Sequence, residues 1–242
     1  MDVDVADVIT RSSGHEGLTA EDFLAGKILL IDKPYEWTSF DVVKKIRNRL
    51  KIKKIGHAGT LDPLATGLLI LCTGKKTKQI EAIQQLQKQY AGTMELGKVT
   101  PSYDLETPVE AVANPFHLKE AELNQALQQF TGRVTQVPPV YSAVKVEGKR
   151  AYDHARKGTH VKLNEREVQI DQFDLTGIEI PEARFAVTCS KGTYIRSLVH
   201  DFGQEVGVGA YLSSLRRTAI GPFSVEEAYT PNDFLTAVVQ PR

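Results

Sequence analysis

Apolar residues recur along this 242-residue chain with two periods, and each period predicts a different kind of element. Lys27 to Ile31 reads as a strand ended by Asp32-Lys33-Pro34. The period then changes: Val42, Val43, Ile46 and Leu50 fall at helical spacing behind Ser39 as N-cap, with basic residues on the opposite face. A second helix is predicted from Lys76 to Lys88 with Ile80, Ile83 and Leu86 inward, then a strand from Tyr90 to Leu96 that Gly92 weakens. Leu118 to Phe130 carries a helical stripe of Leu123, Leu127 and Phe130, with Gly132 just past its end. Strands follow at Val168 to Ile180 and Arg184 to Ser190, the second alternating Phe185, Val187 and Cys189. A last helix, Tyr194 to Val206, turns Ile195, Leu198, Val199, Phe202 and Val206 inward and stops at Gly207.

Helices and strands mix without a regular βαβ rhythm, so the expected class is α+β. Gln136 to Val140 holds two prolines and cannot be a central strand, and the basic, polar stretch from there to Gly158 reads as a projecting insertion. Composition narrows this picture slightly. The length fits one large domain or two small ones, and 41% hydrophobic residues suffice for a core. The longest apolar run, Leu68 to Cys72, is far too short to cross a bilayer, and the acidic MDVDVADVIT start has no secretory signal pattern. Cys72 and Cys189 sit in apolar settings without a CxxC partner, which suits free buried thiols in a cytoplasmic protein and argues against a metal site.

Charge changes the picture more. The formal net charge is zero, but Met1 to Ala25 has six acids against Arg11 alone. Lys44 to Lys78 has ten Lys or Arg against Asp62 alone. A local excess of that size makes a positive surface whatever the total, and a polyanion is its natural partner. A solvated helix face would account for part of it.

Asp62 lies inside that basic stretch, in "GHAGTLDPLATG" (Gly56 to Gly67). Pro63 pushes it toward extended backbone, and the glycines permit turns or close approach. One reading is a turn residue before proline; the other is a displayed carboxylate with chemistry to perform. Rival motifs fail. "TGKKT" (Thr73 to Thr77) lacks the first glycine of a phosphate loop, and neither a zinc helix nor a serine nucleophile elbow is present.

The same loop closely resembles the catalytic loop of bacterial tRNA pseudouridine-55 synthases of the TruB type. Three further segments are similar to that family in order and spacing: "LLIDKPYEWTS" (Leu29 to Ser39), "QVPPVYSAVKVEGKRAYDHARKG" (Gln136 to Gly158) and "CSKGTYIRSL" (Cys189 to Leu198), with "LSSLRR" (Leu212 to Arg217) after them. The resemblance covers about Gly26 to Glu226. It implies a pseudouridine-synthase fold, a central mixed and mostly antiparallel sheet flanked by helices, with the 130–160 region as a thumb-like insertion. It implies isomerisation of the T-loop uridine of tRNA without metal or cofactor, on a T-arm stem-loop, with no membrane and no obligate protein partner. A non-catalytic RNA-binding relative, or a synthase acting on another RNA, would share much of the same sequence.

Residue by residue, the resemblance makes Asp62 the catalytic carboxylate and Arg196 its ion partner. Tyr90 stacks on the target base, and Tyr194 orders the Arg196–Asp62 pair. His57 becomes an RNA contact, Leu215 an apolar pocket residue, and Lys33, Lys78, Lys145 and Arg156 phosphate contacts. The domains expected are an acidic extension over 1–25, best read as a disordered tail though a helix around Thr19 to Leu24 is an alternative, a catalytic domain over 26–230, and a short tail over 231–242 in place of the PUA-type domain of many relatives.

Overall fold

A computed structural model describes residues 5, 7–13, 17–142, 144–146, 148–155, 161 and 163–237, with backbone alone at 145, 146, 149, 150, 153 and 155. The chain divides into two compact units, Met1–Tyr90 with Arg216–Arg242, and Ala91–Leu215. In chain order the first unit opens with β1 (Val8–Ile9), α1 (Ala20–Ala25), β2 (Ile28–Lys33), α2 (Ser39–Leu50), β3 (Ile55–His57), β4 (Ala65–Thr73), a 3-10 turn (Gly74–Gln79) and α3 (Ile80–Gln85). Strand β5 (Lys88–Leu96) leads into the second unit. That unit holds β6 (Lys98–Val99), β7 (Glu110–Ala111), α4 (Glu120–Leu127), β8 (Gly132–Gln136), β9 (Lys145–Val146), β10 (Lys149–Arg150), α5 (Ala151–Ala155), β11 (Arg166–Glu179), β12 (Glu182–Cys189) and α6 (Ile195–Glu205). Strand β13 (Ala210–Ile220) returns the chain to the first unit, followed by β14 (Phe223–Ser224) and α7 (Pro231–Ala237).

In the first unit β2 lies between β1, which it pairs in parallel, and β4, which it pairs antiparallel with Leu29 opposite Leu71 and Ile31 opposite Leu69. Both faces of these strands are buried, which is why their sequences are continuous apolar runs instead of alternating ones. Leu29, Ile31, Leu69 and Leu71 share one core with Val42, Val43, Ile46 and Leu50 of α2. Ile28, Leu30, Leu68, Ile70 and Cys72 share the other with Ile83, Ile220 and Phe223. Burial pushes the Cys72 thiol up to about 12, as expected of an inert core cysteine.

The helix cap is one residue earlier than the sequence suggested. Thr38 is the N-cap of α2: its hydroxyl accepts from the Asp41 N–H at 3.1 Å, while the Asp41 carboxylate accepts from the Thr38 N–H at 3.0 Å. Ser39 is thereby freed to point inward. The expected helix over Lys76 to Lys88 is also shorter. It forms as the 3-10 turn plus α3, which ends where Leu86 turns to extended backbone (ψ 151°) with its N–H donating to the Ile83 carbonyl at 3.2 Å.

Within the acidic stretch, expected as a disordered tail with a helix around Thr19 to Leu24 as the alternative, the described residues 7–13 and 17–25 are folded into the first unit and that helix forms as α1. Thr19 and Asp22 form a capping box for α1, and Asp7 lies 2.7 Å from the Lys27 ammonium and 3.1 Å from that of Lys76. Those cations hold the Asp7 carboxyl below the usual carboxylate range. Phe23 is buried and meets Phe234 edge-to-face at 6.2 Å, and Ile9 joins the same core. The sequence showed the acids more plainly than the apolar residues; of the described acids Glu21 is exposed and Asp7 and Asp22 are half-buried.

In the second unit β11 pairs antiparallel with β12 and with β8, and β8 is the edge strand, ending at Gln136 before the two prolines. Phe173, Phe185, Phe130 and Phe202 form an aromatic core with ring centroids 5.6 to 6.0 Å apart. Gly92 sits inside β5 without weakening it, because a Cβ there would come within 2.5 Å of the Phe185 ring. Val206, expected inward, is only half-buried. The basic insertion contains the β9–β10 hairpin and α5.

Replacing Phe23 with Ala should cost about 3–5 kcal/mol in urea unfolding, the range for a buried phenylalanine. A loss below ~1 kcal/mol would show that the acidic segment is not part of the core.

Candidate active site

The loop from Gly59 to Leu68 owes its shape to side chains from three other elements of the first unit. Asp62, Pro63, Leu64 and Ala65 make a turn closed by the Ala65 N–H donating to the Asp62 carbonyl at 3.1 Å, with proline at the position that favours it. Ser39, at the start of α2, accepts from the Leu61 N–H at 2.9 Å and donates to the Leu61 carbonyl at 3.2 Å. Lys33, at the end of β2, donates to the Pro63 carbonyl at 3.1 Å. Arg217, on β13, donates to the carbonyls of Leu68 at 2.7 Å, Gly59 at 3.2 Å and Thr60 at 3.4 Å. The residues on either side of Asp62 are therefore both anchored, and its half-buried carboxylate is carried between them.

Gly67 shows how tightly this is packed. Its φ is +102°, and a Cβ there would lie 2.3 Å from the Arg217 carbonyl oxygen. Only glycine permits β13 to run that close.

The same contacts correct one expectation. Lys33 is not a phosphate contact: it is fully buried, and its ammonium donates to Pro34 at 2.9 Å and Trp37 at 2.6 Å as well as to Pro63. Three hydrogens meet three carbonyls, leaving none for RNA. Burial lowers its pKa to about 8, opposed by the negative charge of Asp62. Beside Lys33, Asp32 receives a bidentate pair from Arg216 at 3.0 and 2.7 Å. Arg217 was not singled out as a site residue from the sequence, and Ser39 was read only as a helix cap. The usable signal for Arg217 was strand period: on β13 it lies on the opposite face from Arg216, and it is buried.

The other expected residues of this unit are placed as follows. His57 ends β3, and burial, reinforced by the Arg217 charge and opposed by a Gly59 backbone hydrogen bond, holds its imidazole below its usual pKa. It is a neutral group at pH 7, suited to packing and hydrogen bonding more than to charge. Tyr90 is half-buried on β5, and Lys78 is exposed on the 3-10 turn.

The second unit holds the remainder. Tyr194 is the N-cap residue of α6, and its backbone is gripped by the Gln136 amide, which accepts from its N–H at 2.7 Å and donates to its carbonyl at 2.9 Å. Its ring lies under the Arg166 guanidinium at 4.9 Å. Arg196 is buried in the first turn of α6, donating to the Ser102 carbonyl at 3.2 Å and the Tyr141 carbonyl at 2.9 Å, with the Asp104 carboxylate at 3.6 Å. Asp104 is a buried acid that sequence reading missed, in a loop with no motif of its own. Leu215 is half-buried on β13. Lys145 lies on β9, and Arg156 falls outside the described residues.

Solved structures place the fold among the pseudouridine synthases. The chain is 30% identical to the matching chain in a crystal structure of a Cbf5–Nop10–Gar1 complex, with a TM-score of 0.69 over 94% of this chain. It is 27% identical, TM-score 0.66, to one in an H/ACA ribonucleoprotein bound to a substrate RNA containing 2'-deoxyuridine. It spans about 60% of the length of the first of these chains. Residues 47–195 match the TruB family pseudouridylate synthase N-terminal domain, and residues 196–241 match the tRNA pseudouridylate synthase B C-terminal domain. A tRNA pseudouridine synthase B of Chloroherpeton thalassium is 51% identical over 89% of this chain and 91% of its own length. One of Flavobacterium johnsoniae is 48% identical over 87% and 95%. The chain belongs to the TruB family of pseudouridylate synthases.

The buried ammonium gives a pH test. Because the folded pKa of Lys33 lies below its unfolded value, the unfolded chain binds more protons between the two, and stability gains with rising pH there. Wild type should therefore gain stability relative to Lys33→Met from pH about 8 toward the ordinary lysine value near 10.5. A flat or falling difference across that window in denaturant titrations would contradict a buried charged lysine.

Proposed function

We propose that this protein isomerises the T-loop uridine at position 55 of tRNA to pseudouridine, with Asp62 as the nucleophile. The observation that carries the reading is the loop just described: a carboxylate whose two neighbours are fixed by Ser39 and Lys33 is held in one geometry. A carboxylate is ionised at neutral pH and needs no partner base to act as a nucleophile. Membership of the TruB family and the names of its curated relatives support tRNA as the substrate.

The chemistry is redox-neutral. The N1–C1′ bond of the uridine breaks, uracil turns within the pocket, and a C5–C1′ bond forms. The proton on C5 leaves and N1 gains one, so atoms and electrons balance. The carboxylate acts through C1′ or through C6 of the ring, and both routes lose the C5 hydrogen. The base has to leave its stack to be reached, and Tyr90 is assigned the stacking partner, an interaction worth ~1–3 kcal/mol per base. Arg196 is assigned to pair with Asp62, and Tyr194 to order that pair. His57 and Leu215 are assigned to the flipped nucleotide, and Lys78, Lys145 and Arg156 to phosphates. The 136–158 insertion is assigned to gripping the T-arm, in keeping with RNA recognition through structured loops.

The reading is tested by tritium release from C5-labelled uridine in a T-arm stem-loop. Wild type should release label and Asp62→Asn should release none while still binding; tight binding without release by either protein would leave an RNA-binding relative. Arg196→Ala should lower turnover by at least ~10²-fold with a much smaller effect on RNA affinity, the pattern of a lost positioning contact. Equal losses in the two would remove its assignment. Tyr90→Phe should keep RNA affinity, and a large loss of rate would move its role from stacking to proton transfer through the hydroxyl.

A further inference from the structure

Seven cations, Lys44, Lys45, Arg47, Arg49, Lys51, Lys53 and Lys54, lie within eleven residues with no acid among them. They occupy the outer side of α2 and the turn that follows it, all in the first unit. Among the described residues, none of the seven is in an ion pair. Compensation of the helix dipole accounts for Arg47 and Arg49 in the last turn. It does not account for Lys51, Lys53 and Lys54, which are exposed beyond the helix, or for Lys44 two turns upstream.

Two further features point to nucleic acid. Exposed aromatics lie in the segment leading into the cluster: Tyr35 is 51% exposed and Phe40 57%. The Arg47 guanidinium stands 5.9 Å over the Phe40 ring, and the Lys45 ammonium 5.2 Å over Trp37. Arg47, Asn48, Lys51, Ile52 and Lys53 line a shallow depression of about 390 Å³ that is open to solvent. The apolar face of α2 is buried in the core, so this helix has no face left to lay into a lipid surface.

We infer that the α2 face and its following turn are a docking surface for the phosphate backbone of tRNA, separate from the residues assigned to the reacting nucleotide. This rests on the reading that tRNA is the substrate. A phosphate backbone supplies what the patch lacks, a row of negative charges at the surface, and binding it releases counterions.

The test is the salt dependence of tRNA binding, read by fluorescence anisotropy, for wild type and Arg47→Gln/Lys51→Gln/Lys53→Gln, with Lys51→Arg/Lys53→Arg as the charge-preserving control. Each lost duplex phosphate contact lowers the slope of log K against log salt by about 0.9, so the triple variant should be shallower by about 2–3. The control should keep the wild-type slope, and saturating tritium release should be unchanged in both variants. An unchanged slope in the triple variant overturns the surface. So does an equal drop in the charge-preserving control, because the loss would then come from structure. The two readings fail separately: tritium release with unaltered slopes sinks the surface alone, and a shallower slope without any tritium release sinks the isomerase alone.

Discussion

A buried arginine and a buried lysine, each facing backbone carbonyls, fix the loop on which this site depends. Arg217 holds the carbonyls of Gly59, Thr60 and Leu68, and Lys33 holds that of Pro63. Each of these carbonyls gains a charged donor, and a hydrogen bond to a charged group contributes about 1.5–3 kcal/mol. Cations taken out of water are costly unless every hydrogen is placed. The two needs are met by one another. The loop cannot leave its cations, and the cations cannot leave the loop, so Asp62 is delivered in a fixed place. Ser39 completes the anchoring from the start of α2, and it can do so only because Thr38 takes the capping role.

That arrangement explains which parts of the site were legible in the sequence. Asp62 was visible because proline and glycine mark their own backbone geometry, and Arg196 because a motif surrounds it. The helices of both units followed their apolar stripes. Lys33 was misread, since a lysine beside proline looks like a surface cation and nothing local says that its ammonium turns inward to three carbonyls. Arg217 and Asp104 were missed for a related reason: their partners lie 149 and 92 residues away, and only the fold brings them together. The folded acidic stretch was hidden by composition. Six acids outweighed Ile9 and Phe23, yet those two side chains are the ones in the core.

Charge is divided along the chain by function as well as by sequence. The cations of the first unit include two kinds: Lys33 and Arg217 are buried and committed to carbonyls, while the Lys44 to Lys54 group is exposed or half-buried and in no ion pair among the described residues. The first kind sets the geometry of the Asp62 loop. The second kind is available to a polyanion. A net charge of zero conceals both, because the acids that balance them, Asp7 among them, lie elsewhere on the fold.

The central claim, that buried cations hold Asp62, the proposed nucleophile, in position, is tested most directly by the single-turnover rate of Arg217→Lys at saturating RNA. A lysine keeps the charge but cannot reach three carbonyls with one planar fork. A displacement of the loop by ~1 Å should lower that rate about 10²-fold while RNA affinity changes little. A rate close to wild type would show that the loop keeps its geometry without the guanidinium, and would contradict the account.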